Sequence, residues 1–224
     1  MKIIAHIHTD FPDKFGIPRQ SGLVQELTGK IVFEPEYRNP EAVRGLDDFS
    51  YIWLLWKFSE SKKEHWSATV KPPRLGGKKR MGVFATRSPF RPNDIGLSSV
   101  RLQRIELDKK EGPILYVSGI DLMDGTPIYD IKPYIPLADC HPDATEGYTR
   151  VTKEHSLEVE FPDELLQMYP EEKRQGIMGV LAQDPRPTYF QDPERVYGVS
   201  FAGYNVKFTV DGDRLLVCDV EKLG

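Results

Sequence analysis

Between residues 82 and 99 the chain reads GVFATRSPFRPNDIGLSS. Pro89 and Pro92 fix the backbone φ and stiffen the loop around Arg91, and Gly96 permits close backbone approach. Arg87 and Arg91 present planar donor forks suited to a carboxylate or a phosphate. A stiff loop holding arginines preorganises a site for an anionic ligand. The stretch FGIPRQSGL, residues 15–23, repeats this chemistry on a smaller scale. Pro18 stiffens it, Arg19 donates, and the Gln20 amide both donates and accepts, so it can pair with another amide or an adenine edge.

Two further loops carry polar chemistry. In DLMDGTPIYDIKPY, residues 121–134, Asp124, Gly125, Thr126 and Pro127 read as a turn. A carboxylate there can take a ribose hydroxyl or an ammonium group, and Asp130 and Lys132 share a face if the segment is extended. In AQDPRPTY, residues 182–189, Pro185 and Pro187 hold Arg186 and Tyr189 away from the end of a helix. Arginine with tyrosine can grip phosphate and stack a base. Each loop taken alone also fits a structural turn with its charges in salt bridges. His6 and His8 share one strand face, but no third ligand stands at a metal-site spacing, so no metal is expected. His65 and Trp66 read as packing or loop residues. A glycine-rich phosphate loop, a nucleophile elbow and a paired CxxC are all missing from the sequence.

The net charge of −4 does not mark a polyanion binder, but its distribution says more. Residues 71–91 carry seven basic side chains and no acidic one. A cationic stripe on an acidic body can hold a polyanion by its local field, although charge runs are commonly just solvated faces. No apolar run approaches the ~20 residues of a membrane span, and the N-terminus lacks a signal peptide's apolar core. Cys140 and Cys218 lie far apart in no motif. They read as free thiols of a cytoplasmic protein.

The elements that must carry these loops are mostly strands. Strands are predicted at 2–8, over GKIVFEP, over 49–58 (FSYIWLLWKF), over GVFAT, at 97–107, at 113–120 and over TPIYDIKPY. Many short strands separated by Gly and Pro signals argue an antiparallel barrel or sandwich. The pattern changes near residue 150. PDELLQMYPEEKRQGIMGVLAQ predicts two short helices broken at Pro170. YNVKFTV and RLLVCDV then flank an Asp211-Gly212-Asp213 hairpin turn. The expected organisation is a mainly β domain over 1–150 and a small α+β domain over 151–224.

Five motifs in order, FGIPRQSGLV, AVRGLDDFSYIWLLW, KPPRLGGKKRMGVFATRSPFRPNDIGLS, DGTPIYDIKPY and AQDPRP, span nearly the whole chain. Together they resemble the TsaA/TrmO-like family of S-adenosylmethionine-dependent tRNA methyltransferases. The resemblance implies an antiparallel β-barrel methyltransferase domain, usually in a homodimer, with S-adenosylmethionine bound by the loops. It implies methyl transfer to N6 of threonylcarbamoyladenosine at position 37 of threonine tRNAs. The family's cofactor positions correspond here to Pro18, Arg19 and Gln20, to Arg87, to Leu97, and to Asp124, Gly125 and Thr126. A further cofactor segment after the long strand often carries a histidine and here reads Ser59-Glu60. The family's RPNPIGL is RPNDIGL here, with Asp94 in place of a proline.

On that reading the sulfonium of the donor already activates the methyl group, so no metal is required. Carbamoylation makes the remaining N6–H more acidic, and the threonyl carboxylate gives the enzyme a handle. Arg91 and Arg186 are the candidates for that handle, Asp184 and Tyr189 for the proton acceptor, and Lys78, Lys79 and Arg80 for the tRNA phosphates. The alternatives are a non-catalytic RNA-binding module and a methyltransferase for a non-RNA acceptor.

Overall fold

The computed structural model describes residues 1–60, 66–72, 75, 79–152, 156–186 and 192–224, with the side chains of 151 and 152 left aside. In chain order the strands are β1 (Ala5–Thr9), β2 (Thr28–Phe33), β3 (Tyr51–Lys57), β4 (Thr69–Val70), β5 (Met81–Gly82), β6 (Ile95–Asp108), β7 (Gly112–Ser118), β8 (Thr126–Pro133), β9 (Glu158–Glu160), β10 (Tyr197–Phe201), β11 (Tyr204–Asp211) and β12 (Arg214–Lys222). The α-helices are α1 (Pro136–Asp139), α2 (Asp163–Leu166) and α3 (Glu171–Ala182).

Six strands close into a barrel in the order β1-β2-β7-β6-β3-β8, every neighbouring pair antiparallel. Closure leaves no barrel edge exposed. Strand alternation explains the filling: in β3, Ile52, Leu54 and Trp56 point inward while Tyr51, Trp53 and Leu55 face outward. They meet Ile7, Ile31, Leu115 and Ile128 from the other strands in one core. Gly96 on β6 is required by this packing. A Cβ there would stand 2.2 Å from the Trp56 ring, which lies directly over the glycine.

The chain after the barrel forms a four-stranded sheet, β10-β11-β12-β9. Pro170 does separate two helices, standing as the residue before α3. Ile177, Val180 and Leu181 of α3 are buried, and Gly179 lets the helix approach the barrel side. A Cβ at Gly179 would lie 2.5 Å from a Val24 methyl. The residues between β1 and β2 are clasped by this second unit. Asp10 accepts from Lys173 Nζ at 2.5 Å and from the Ala202 backbone N–H at 2.9 Å, and the Phe11 and Phe201 rings lie 5.2 Å apart. The same inter-strand connection carries Pro18, Arg19 and Gln20, so the second unit helps fix a candidate site loop.

One predicted strand is not a strand throughout. Of GVFAT only Gly82 lies in a strand, β5, before the chain winds into a 3-10 turn, Val83–Ala85. The turn buries Val83 and swings the next ring, Phe84, into solvent. Among the described residues, no helix is long and apolar enough to cross a membrane.

Candidate functional site

An open cleft of about 1820 Å³ runs along one end of the barrel and is walled on the far side by the turn after α3. The barrel closure brings together loops that are far apart in sequence. Pro18, Arg19, Gln20, Ser59, Glu60, Arg80, Arg87, Arg91, Leu97, Thr126, Asp184 and Arg186 all line it. Asp124, Gly125 and Lys79 do not. His65, Lys78 and Tyr189 lie outside the described residues.

On one wall Arg87 Nη1 donates to Gln20 Oε1 at 2.5 Å, and Gln20 Nε2 donates to the Arg19 carbonyl at 2.5 Å. Arg87, Gln20 and the buried Pro18 all line the cleft. Leu97, although on a barrel strand, is exposed and offers an apolar shelf between these polar groups.

The turn at residues 124–126 divides its labour. Thr126 is buried, lines the cleft and donates its hydroxyl to the Met123 carbonyl at 2.7 Å. Asp124 faces away and ties β8 to β1: its Oδ1 accepts from the Thr9 N–H at 3.0 Å and stands 3.3 Å from His8 Nδ1. Gly125 donates its N–H to the Ile7 carbonyl at 2.8 Å. His6 is likewise matched to a carboxylate, with Nδ1 2.8 Å from Glu34 Oε1.

Two arginines expected to face the acceptor have local partners. Arg91 Nη1 donates to the Thr86 carbonyl at 2.7 Å, with the Val83 and Ser88 carbonyls at 3.5 Å, so it braces its own loop. Arg186 forms a two-pronged pair with Asp184, at 2.8 and 3.0 Å, and both side chains are largely buried. Asp184 has φ +53°, a left-handed backbone that aspartate tolerates better than most residues. The hydrogen bond from Arg186 to Asp184 pushes the guanidinium's affinity for its proton further up. Both Asp184 oxygens are thereby occupied.

The cleft holds a further residue, one that opens the DLMDGTPIYDIKPY motif but has no role assigned to it from the sequence. Asp121 lines the cleft, half-buried. Its Oδ1 accepts from Ser98 Oγ at 2.6 Å, and Ser98 Oγ accepts in turn from Trp56 Nε1 at 2.9 Å. Burial raises the Asp121 carboxyl to about 6, against the opposing pull of Ser98, the Ser21 and Asp121 backbone N–H groups and the Arg87 charge. A carboxylate poised near neutrality beside a guanidinium is suited to taking a proton. Its signal in the sequence is only an acid at the end of an apolar strand run. Its surroundings come from β3, β6 and the 18–21 loop.

At the rim stand two rings. Trp66, expected from the sequence to pack or to lie in a loop, is 53% exposed, and Phe84 is 72% exposed. They stack at 6.2 Å with 25° between planes. Arg80 is beside them, its Nε donating to Thr69 Oγ1 at 2.7 Å. Among the described residues no group of three His, Cys, Asp or Glu could hold a metal ion.

Comparison with known proteins identifies the family of the chain. Residues 6–140 match the family model of the tRNA-methyltransferase O N-terminal domain, and residues 154–223 that of the TrmO C-terminal domain. The tRNA (adenine(37)-N6)-methyltransferase of Escherichia coli K12 is 43% identical over 215 residues, covering 92% of this chain and 91% of that one. A Pyrococcus abyssi protein named for S-adenosyl-L-methionine binding is 34% identical over 145 residues, 65% of this chain and 73% of that one. A crystal structure of TrmO from Pseudomonas aeruginosa superposes with TM-score 0.77 at 35% identity, covering 97% of this chain and 96% of the other. With both family models matched in order along most of its length, on a closed six-stranded barrel, the chain belongs to the TrmO family.

Proposed function

We propose that this protein transfers a methyl group from S-adenosylmethionine to N6 of adenosine 37 in tRNA, on a base already carrying a threonylcarbamoyl group. The observation that carries the reading is the convergence of distant loops on one cleft. It gathers the Gln20–Arg87 pair, the exposed Leu97 and the Asp121 carboxyl from loops separated by about a hundred residues. The chemistry of that set fits the cofactor: polar forks for its amino acid and ribose, and an apolar shelf for its adenine. Pro18, Arg19, Gln20, Arg87, Leu97 and Thr126 would hold it, with Ser59 and Glu60 on the adjoining wall. When bound, it supplies a methyl group made electrophilic by a positive sulfur.

The protein's own task is alignment, exclusion of water and proton removal. Alignment of reacting groups can lower a barrier by roughly 7–11 kcal/mol. As N6 takes up the methyl group, the Asp121 carboxylate would accept the N6 proton. Asp121 suits this role better than Asp184, whose oxygens are both engaged by Arg186. Arg186, which also lines the cleft, remains the group for the threonyl carboxylate, which would compete with Asp184 for its fork. Arg91 acts on the acceptor by holding the loop. Lys79 and Arg80 lie on the approach for tRNA phosphates. Two exposed free thiols, Cys140 and Cys218, accord with a cytoplasmic setting, and the homodimer implied by family resemblance belongs to the same reading.

The test incubates the protein and S-adenosylmethionine with tRNA carrying threonylcarbamoyladenosine and, in parallel, with the same tRNA lacking it. Both are digested to nucleosides and weighed. One added methyl on the modified nucleoside alone is expected. Equal methylation of both would remove the role given to the threonylcarbamoyl group, and methylation of neither, with cofactor binding confirmed, would overturn the reading.

A further inference from the structure

The rim rings are built to be exposed. β4 and β5 pair Thr69 with Gly82 and Val70 with Met81, and the ladder runs on through the Val83 N–H to the Ala68 carbonyl at 3.0 Å. That register brings Trp66 beside Phe84. A lone exposed aromatic needs no explanation, but here two are stacked with each other and continue into a cation, the Arg91 guanidinium 6.0 Å from the Phe84 centroid. Arg91 is fixed by the Thr86 carbonyl, so the outer ring stands on a braced base. Phe84 itself lines the mouth of the cleft. Residues 66–91 contain seven basic side chains and no acidic one, so the rings sit inside the most cationic part of an otherwise acidic chain.

We infer that Trp66 and Phe84 form a stacking platform for an unpaired nucleobase of the RNA acceptor, at the entrance to the cleft that Asp121 floors. The inference rests on the proposed tRNA reading and adds the residues that take an unstacked base. Every base has a π face, and proteins hold single-stranded bases on aromatic side chains flanked by cations. An adenine at position 37 must leave its neighbours' stack before its N6 reaches a recessed carboxylate, and a ring at the mouth replaces the stacking it loses. Charge complementarity decides the occupant. An apolar protein surface gains nothing from Lys71 and Arg80, which line the same cleft as Phe84, whereas the phosphates either side of the base do.

The experiment measures affinity for threonylcarbamoyl-modified tRNA across a salt series for the wild type, Phe84→Ala, Trp66→Ala and Phe84→Tyr. Circular dichroism and S-adenosylmethionine affinity serve as folding controls. Removing one base–aromatic stack should weaken tRNA binding about 5- to 150-fold in each alanine variant. Phe84→Tyr should restore it, and the slope of log K against log salt should not change, because stacking releases no counterions. Alanine variants with wild-type affinity, in a protein that does bind tRNA, would overturn the platform alone. So would a tyrosine variant as weak as alanine, or a loss of affinity that tracks a change in oligomeric state. A wild type that fails to bind tRNA would overturn the underlying reading and the platform with it.

Discussion

The floor and the rim of the cleft are built on opposite principles. On the floor, Trp56, Ser98 and Asp121 form a short hydrogen-bonded chain inside the barrel end, with every donor matched to an acceptor. At the rim, Trp66 and Phe84 expose apolar rings among arginines and lysines. A buried, satisfied network rigidifies its members and tunes a carboxyl. An exposed aromatic and cationic surface tolerates many geometries of a polymer. The contrast assigns chemistry to the first region and substrate capture to the second.

The largest way to break that assignment is Asp121→Asn. Loss of a positioned proton acceptor should slow methyl transfer about 10²–10⁴-fold at pH 7.5 in single-turnover kinetics. Asparagine keeps the size and a hydrogen-bond acceptor for Ser98. In the wild type the rate should climb as pH rises through about 6, where Asp121 ionises. A smaller effect sharpens the structural half of the contrast. Gly96→Ala forces a methyl into the Trp56 ring and should destabilise the fold by about 1–3 kcal/mol, read as a drop of roughly 2–12 °C in Tm. At the rim, Lys79→Ala with Arg80→Ala should reduce the salt slope of tRNA binding by about 0.7–0.9 for each phosphate left without its cation and leave Tm nearly unchanged.

The smallest effect is on stability against pH. The Asp121 carboxyl titrates near 6 in the folded chain, above its ordinary value of 3.8. The folded state therefore binds the proton more tightly, and stability falls as pH rises between about 4 and 6. Thermal melts of Asp121→Asn should lose that component of the slope.

The barrel is legible where local pattern decides structure. The alternation of Ile52, Leu54 and Trp56 marks an inward strand face, Pro170 breaks the helical run as expected, and Asp211-Gly212-Asp213 does join β11 to β12. Phe84 departs from its expected strand because Val-Phe-Ala are strand formers only by local preference. The two-residue pairing of β5 and the bracing by Arg91 override that preference. β9 carries no signal, since Glu158-Val159-Glu160 is too short and polar to show an alternating face. Asp121 is invisible as a site residue for another reason. Its partners Ser98 and Arg87 are set by closure of the barrel, and burial by distant strands leaves no mark on neighbouring residues. The arginines show the converse, stiff loops that are legible and partners that are not. Arg91 and Arg186 are held on stiff loops as their prolines indicate, but their partners Thr86 and Asp184 lie within five residues and claim their donors.

The division between floor and rim is tested most directly by one kinetic set: wild type, Asp121→Asn, Phe84→Ala and the double variant, each measured for tRNA Kd and for single-turnover methyl transfer at saturating tRNA. The account predicts that Asp121→Asn lowers the saturating rate with Kd unchanged. Phe84→Ala should raise Kd with the saturating rate unchanged, and the double variant should show both effects independently. An Asp121→Asn protein that keeps the wild-type rate, or a Phe84→Ala protein whose defect persists in full at saturating tRNA with Kd intact, would contradict it.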